Sequence, residues 1–226
     1  MTRRGPTQPS DPHAGQAVLS AGPSPEQASA TLVLLHGRGA TAESILSVYE
    51  ELAIPELAAL APQAAARTWY PQSFLAPTEA NQPFLDSALR RVESILADLL
   101  ARGIASDRIA LLGFSQGACL VSEFAARHPR RYAAIIALTG GLIGPPGMLR
   151  DYAGSLEGTP VFLGTGDPDP HVPFERVRET EAVFTRMGAA VELRRYAGMP
   201  HTINQDELEV SRALLQRVVS GTRDGR

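Results

Sequence analysis

Short apolar runs alternate along this chain with longer stretches whose apolar positions recur every three or four residues. The short runs predict strands at Thr31–His36, Leu57–Ala61, Arg108–Gly113, Ala133–Leu138, Pro160–Gly164 and Val191–Tyr196, with Gln16–Ser20 as an edge strand. They are apolar along most of their length, as strands covered on both faces are. The periodic stretches predict helices at Thr41–Ala53, Pro83–Arg102, Ser115–Arg127, Pro173–Met187 and Gln205–Val219. The second helix is the clearest: Leu85, Leu89, Val92, Ile95, Leu96, Leu99 and Leu100 form one apolar stripe, and Gly103 ends it. Strands alternating with helices imply an α/β fold: a doubly wound, mostly parallel sheet with helices on both faces and right-handed crossovers. Sites in such sheets lie at the carboxyl ends of the strands, so functional residues are expected just after strands.

Composition narrows the picture. The 226 residues suit a single domain, here 16–226. A chain of this size buries about 70% of its unfolded surface, so it folds without disulfides or metal. The one Cys excludes an intrachain disulfide framework and a Cys-based zinc cluster. A net charge of −3 argues against a nucleic-acid partner, and no apolar run reaches the roughly 18 residues of a membrane span. All 21 basic residues are Arg, which reads as codon bias and not as function. Residues 1–15, rich in Pro, Gly and polar groups, read as a disordered tail. Arg3-Arg4 is followed by no apolar segment, so an export signal is not indicated and a cytoplasmic location is expected.

The chemistry begins at Gly113-Phe114-Ser115-Gln116-Gly117, a G-x-S-x-G pattern between a strand and a helix. A sharp turn there lifts the Ser hydroxyl above the sheet edge, with glycines letting strand and helix pass closely. The alternative, a plain helix N-cap, does not require a Gly two residues to either side. A Ser nucleophile needs a base. Of five His, His13 lies in the tail, His128 at a helix end on the surface, His36 upstream, and His171 in an Asp-rich loop. His201 follows a strand and fits the order Ser, acid, His of α/β-hydrolases. The acid falls in Gly166-Asp167-Pro168-Asp169-Pro170, after another strand, and spacing does not choose between Asp167 and Asp169. Oxyanion donors are expected at the backbone N–H of Gln116 and in Leu35-His36-Gly37-Arg38-Gly39, at Arg38. That glycine-rich loop lacks the spacing and the Lys of nucleotide-binding loops.

Together LHGRGA, GFSQG, GDPDPHVP and GMPH resemble the phospholipase/carboxylesterase family of α/β-hydrolases, the group of bacterial carboxylesterases and acyl-protein thioesterases. The resemblance covers about residues 30 to 220. It implies an α/β-hydrolase fold without a large lid domain, nucleophile Ser115, acid Asp169 three residues before the Val of the V-P pair, base His201, and oxyanion donors Arg38 and Gln116. It implies no cofactor and no metal, and a homodimer. Many relatives carry Leu at Arg38 and Gly at Pro200.

Trp69, in a long loop, is a candidate wall of the acyl pocket or else a core anchor, and Gly37 a candidate substrate contact. Cys119 reads as a small buried residue. The stretch 142–155 is too short for a lid domain, which implies an open site. The function expected is that of a serine carboxylesterase acting on small-molecule esters of short to medium chain, with thioesters or lysophospholipids within its range. A dienelactone-hydrolase-like enzyme and a non-catalytic ligand-binding relative are the alternatives.

Overall fold

The computed structural model of the chain describes residues 11–223. Its strands are β1 (Val18–Ala21), β2 (Ala30–Leu35), β3 (Leu57–Pro62), β4 (Ile109–Phe114), β5 (Ala134–Leu138), β6 (Pro160–Asp167) and β7 (Ala190–Ala197). Its helices are α1 (Ala42–Leu52), α2 (Phe84–Ala101), α3 (Gln116–Arg127), α4 (Phe174–Arg186) and α5 (Gln205–Arg223). The strands form one sheet in the order β1-β3-β2-β4-β5-β6-β7. Only β1 runs antiparallel, against β3. Because β2, β4 and β5 are buried along their length, their apolar runs feed both faces.

One face packs Val33, Leu35, Leu111, Ile135 and Leu163 against α2, α3 and α4. The other packs Leu32, Leu34, Leu112, Ile136 and Phe162 against α1 and α5. This split, produced by the period-two alternation of side chains on a strand, is the doubly wound arrangement the sequence predicts. Every residue of α3 from Gln116 to Ala126 is buried, so the helix behind Ser115 has no solvent face there. On α2 the apolar stripe is buried through Leu99, whereas Leu100 turns outward and is 38% exposed.

The tail expectation needs correction. Residues 1–10 lie outside the described residues, but within 11–15 the side chains of Asp11 and His13 hold the segment to the protein. His13 is fully buried. Its Nδ1 accepts from Ala65 N (3.1 Å), so the proton sits on Nε2, which donates to the Trp69 carbonyl (2.9 Å). Burial is the leading cause of its lowered pKa, which favours that neutral form. Asp11 accepts from Ser87 Oγ and pairs with Arg90, fastening the segment to α2. A lone imidazole among Pro and Gly leaves no periodic signal, so the pattern could not reveal this anchor.

The long connection from β5 to β6 is tied down. Arg176 donates to the Leu142 and Gly144 carbonyls (2.6 and 2.7 Å), and buried Glu123 accepts from Ile143 N (3.0 Å). No helix among the described residues is long and apolar enough to cross a membrane.

Candidate active site

Ser115 leaves β4 at the carboxyl edge of the sheet with φ 55° and ψ −117°, a strained conformation for a residue with a Cβ. The surroundings enforce it. A Cβ at Gly113 would overlap the Gly117 and Ala118 backbone, and one at Gly117 would overlap the Leu35 carbonyl. The Ser115 side chain makes no capping bond to α3. Its Oγ stands 2.8 Å from His201 Nε2 instead. His201, four residues beyond β7, presents Nδ1 to Asp169 Oδ2 at 2.7 Å.

The Asp169 side chain is fully buried, and its Oδ1 accepts the backbone N–H groups of His171 and Val172, each at 2.8 Å. Burial acts to raise its pKa, but these two N–H groups and the imidazole outweigh it and hold the carboxyl below its usual value. The carboxylate can therefore only accept from His201, so Nδ1 carries the proton and Nε2 is free to accept the Ser115 hydroxyl proton. Asp167 is elsewhere engaged: it ends β6 and pairs with Arg195. The structure brings Asp169, not Asp167, to His201.

The loop after β2 is braced from behind. His36 is buried, and its Nε2 accepts from Ala64 N (3.1 Å). Nδ1 therefore donates, to the Gly37 carbonyl at 2.8 Å. Ala40 N donates to the same oxygen (3.2 Å). Holding that carbonyl fixes the plane of the Gly37–Arg38 peptide, and the Arg38 N–H points the opposite way because the peptide is trans. Gly37 lies against the turn, its Cβ direction 3.5 Å from the Ser115 Cβ.

Beside Ser115 opens a cavity of about 430 Å³, lined among others by Arg38, Tyr70, Phe74, Gln116, His171 and His201. Neither Trp69 nor Gly37 lines it. Gly37 faces a separate cleft toward α1, and Trp69 is fully buried beneath the loop, its Nε1 donating to the His36 carbonyl (2.9 Å). Trp69 is thus the core anchor, and its neighbour Tyr70 reaches the cavity. In an irregular loop nothing fixes which of two adjacent aromatics points inward. Trp69→Ala, which removes the whole buried indole and its hydrogen bond, is expected to destabilise the protein by about 3–5 kcal/mol in urea unfolding.

A sequence match to the family described as phospholipase/carboxylesterase extends over residues 16–219. The chain belongs to the phospholipase/carboxylesterase family. A crystal structure of a phospholipase/carboxylesterase from Dyadobacter fermentans is 45% identical, with a TM-score of 0.86 over 89% of this chain and 97% of that one. Acyl-protein thioesterase 1 of Saccharomyces cerevisiae is 29% identical over 59% of this chain, and the match spans 60% of the yeast protein's length. The carboxylesterase of Bacillus cereus, at 16% identity and a TM-score of 0.74 over 91% of this chain and 95% of that one, shares the fold.

Within this family member three features escape sequence reasoning. The Gln116 side chain locks the cavity loop: Oε1 accepts from Trp69 N (2.9 Å) and Nε2 donates to the Tyr70 carbonyl (2.8 Å). His171 stands edge-to-face with His201 at 4.8 Å between ring centroids. Glu207 lies in the first turn of α5, just beyond the His201 loop, and the overlooked signal for it is its three-residue spacing from Asn204, that of a capping box. Glu207 Oε2 accepts from Asn204 N (3.0 Å) and Asn204 Oδ1 accepts from Glu207 N (2.8 Å).

The other carboxyl oxygen of Glu207 is buried without a hydrogen-bond partner, pressed against Gly164 of β6. Burial first, with the nearby Asp206 charge adding to it, pushes its pKa from 4.5 up to about 7. The folded state then holds its proton to higher pH than the unfolded chain does. Stability falls as pH rises from about 4.5 to 7, by up to about 3 kcal/mol. Glu207→Gln keeps an oxygen for Asn204 and carries no charge. It is expected to raise the unfolding free energy at pH 8 and to leave it nearly unchanged at pH 4, as measured by denaturant titration at the two pH values.

Proposed function

We propose that this chain is a serine carboxylesterase hydrolysing short- to medium-chain carboxylic esters, with thioesters as further substrates. The observation that carries the reading is the hydrogen-bonded row Ser115–His201–Asp169, set at strand ends beside an open cavity. The names of the family and of its relatives support it.

In this reading His201 Nε2 takes the Ser115 proton as Oγ attacks the acyl carbonyl. Asp169 holds the imidazole in the required tautomer and balances the imidazolium. The backbone N–H groups of Arg38 and Gln116 receive the oxyanion. The braced Gly37 carbonyl supports the first assignment, and the position of Gln116 at the first turn of buried α3 supports the second, since a helix N-terminus favours negative charge. His201 then protonates the departing alcohol or thiol. Water then attacks the acyl carbonyl as His201 takes its proton, and His201 returns that proton to Ser115 Oγ as the acyl–oxygen bond breaks and the acid leaves. The cavity opens beside Ser115, which suits small esters.

The test is a chain-length series of p-nitrophenyl esters beside acylthiocholines. Saturable turnover with a maximum among short to medium acyl chains is the expected result. No turnover above buffer by folded protein contradicts the reading and leaves a ligand-binding role.

A further inference from the structure

We propose that the cavity beside Ser115 selects esters carrying a carboxylate near the scissile bond, with the Arg38 guanidinium as its receptor; this rests on the esterase reading above. Among the Arg, Asp and Glu side chains described, Arg38 alone lines the cavity. Its lining includes Arg38, His171 and His201 and no acidic side chain. The nearby carboxylate of Asp169 is fully buried, and its oxygens are taken by two backbone N–H groups and by His201.

Among the described residues Arg38 makes no ion pair, unlike four later arginines. Arg176 and Arg150 pair with Glu179, Arg194 with Asp206, and Arg195 with Asp167. The Arg38 guanidinium is instead fixed by carbonyls: Nη1 donates to Pro71 O (2.9 Å) and Nη2 to Gln72 O (2.6 Å). It stands 5.9 Å from the centre of the Tyr70 ring. Those bonds neutralise no charge. They use two of its five N–H donors and leave a pre-oriented cation on the cavity wall with donors to spare. The remaining N–H groups can donate to a carboxylate oxygen, and because two bonds already hold the guanidinium, less side-chain entropy is lost on binding. The side chain belongs to the same residue whose backbone N–H is assigned to the oxyanion, so the anion it binds must sit close to the reacting carbonyl.

Two matched pairs of esters test this. On the acyl side, p-nitrophenyl hydrogen adipate is compared with its neutral branched-alkyl isostere. On the alcohol side, meta-carboxyphenyl butyrate is compared with meta-isopropylphenyl butyrate. A kcat/KM advantage of about tenfold for the carboxylate member of one pair is expected, carried mainly by KM. It should shrink as ionic strength is raised toward about 1 M. In Arg38→Leu the charged-to-neutral ratio should fall to near one, and Arg38→Lys should restore part of it. Ratios near one in both pairs, with the neutral esters still hydrolysed, overturn this proposal and leave the esterase reading intact. A preference that survives Arg38→Leu overturns the assignment to that side chain. No turnover of any of the four esters overturns both.

Discussion

Ser115→Ala is expected to lower kcat for ester hydrolysis by about 10⁶-fold while the protein stays folded. The Oγ serves one partner, His201 Nε2 at 2.8 Å, and caps no helix, so deleting it removes the attacking atom and little that supports the fold. The backbone at φ 55° is held by Gly113, Gly117 and the buried α3, none of which depends on the hydroxyl. Ala tolerates that φ no worse than Ser does. Steady-state kinetics with a short p-nitrophenyl ester, paired with urea unfolding, separates the two effects. An unfolding midpoint that drops along with activity would mean that the turn, and not the chemistry, had been lost.

Asp169→Asn is expected to cost about 10⁴ in kcat, and the reason lies in the loop. The two N–H groups of His171 and Val172 converge on Oδ1 and demand an oxygen there. An Asn at this position must therefore turn its NH₂ toward His201 Nδ1. Facing a donor, Nδ1 becomes an acceptor and the imidazole proton moves to Nε2, which can then no longer take the Ser115 proton. Asp167→Asn removes only a partly exposed pair with Arg195 and should change kcat by no more than a few-fold. The same assay compares both variants. A large loss in Asp167→Asn with a small one in Asp169→Asn would reverse the assignment of the acid.

Much of this was legible in the chain. The apolar runs report strands buried on both faces, and G-x-S-x-G sits at the strand-to-helix junction that its mechanics require. Asp167 and Asp169 were not separable by spacing, because both follow the apolar run Pro160–Gly164. The ladder with β7 carries β6 on to Asp167, paired with Ala197, which fixes that carboxylate in the strand. Only beyond it does the chain turn and swing Asp169 beneath His201. His13 was misread and Trp69 left open for a related reason: each is buried through hydrogen bonds within irregular backbone, where no period marks the inward side. Leu100 shows the converse. It has the right residue type, but one step past Leu99 rotates it about 100° away from the core. Arg38 was visible as a departure from the family pattern, yet only the carbonyls of Pro71 and Gln72 show that its side chain is fixed beside the cavity.

In the proposed mechanism Ser115 is an activated nucleophile. Labelling with a fluorophosphonate, followed by peptide mapping by mass spectrometry, tests it most directly. A single adduct is expected, on Ser115, formed by the native protein and absent after unfolding. An adduct at another residue, or none on folded protein, would contradict it.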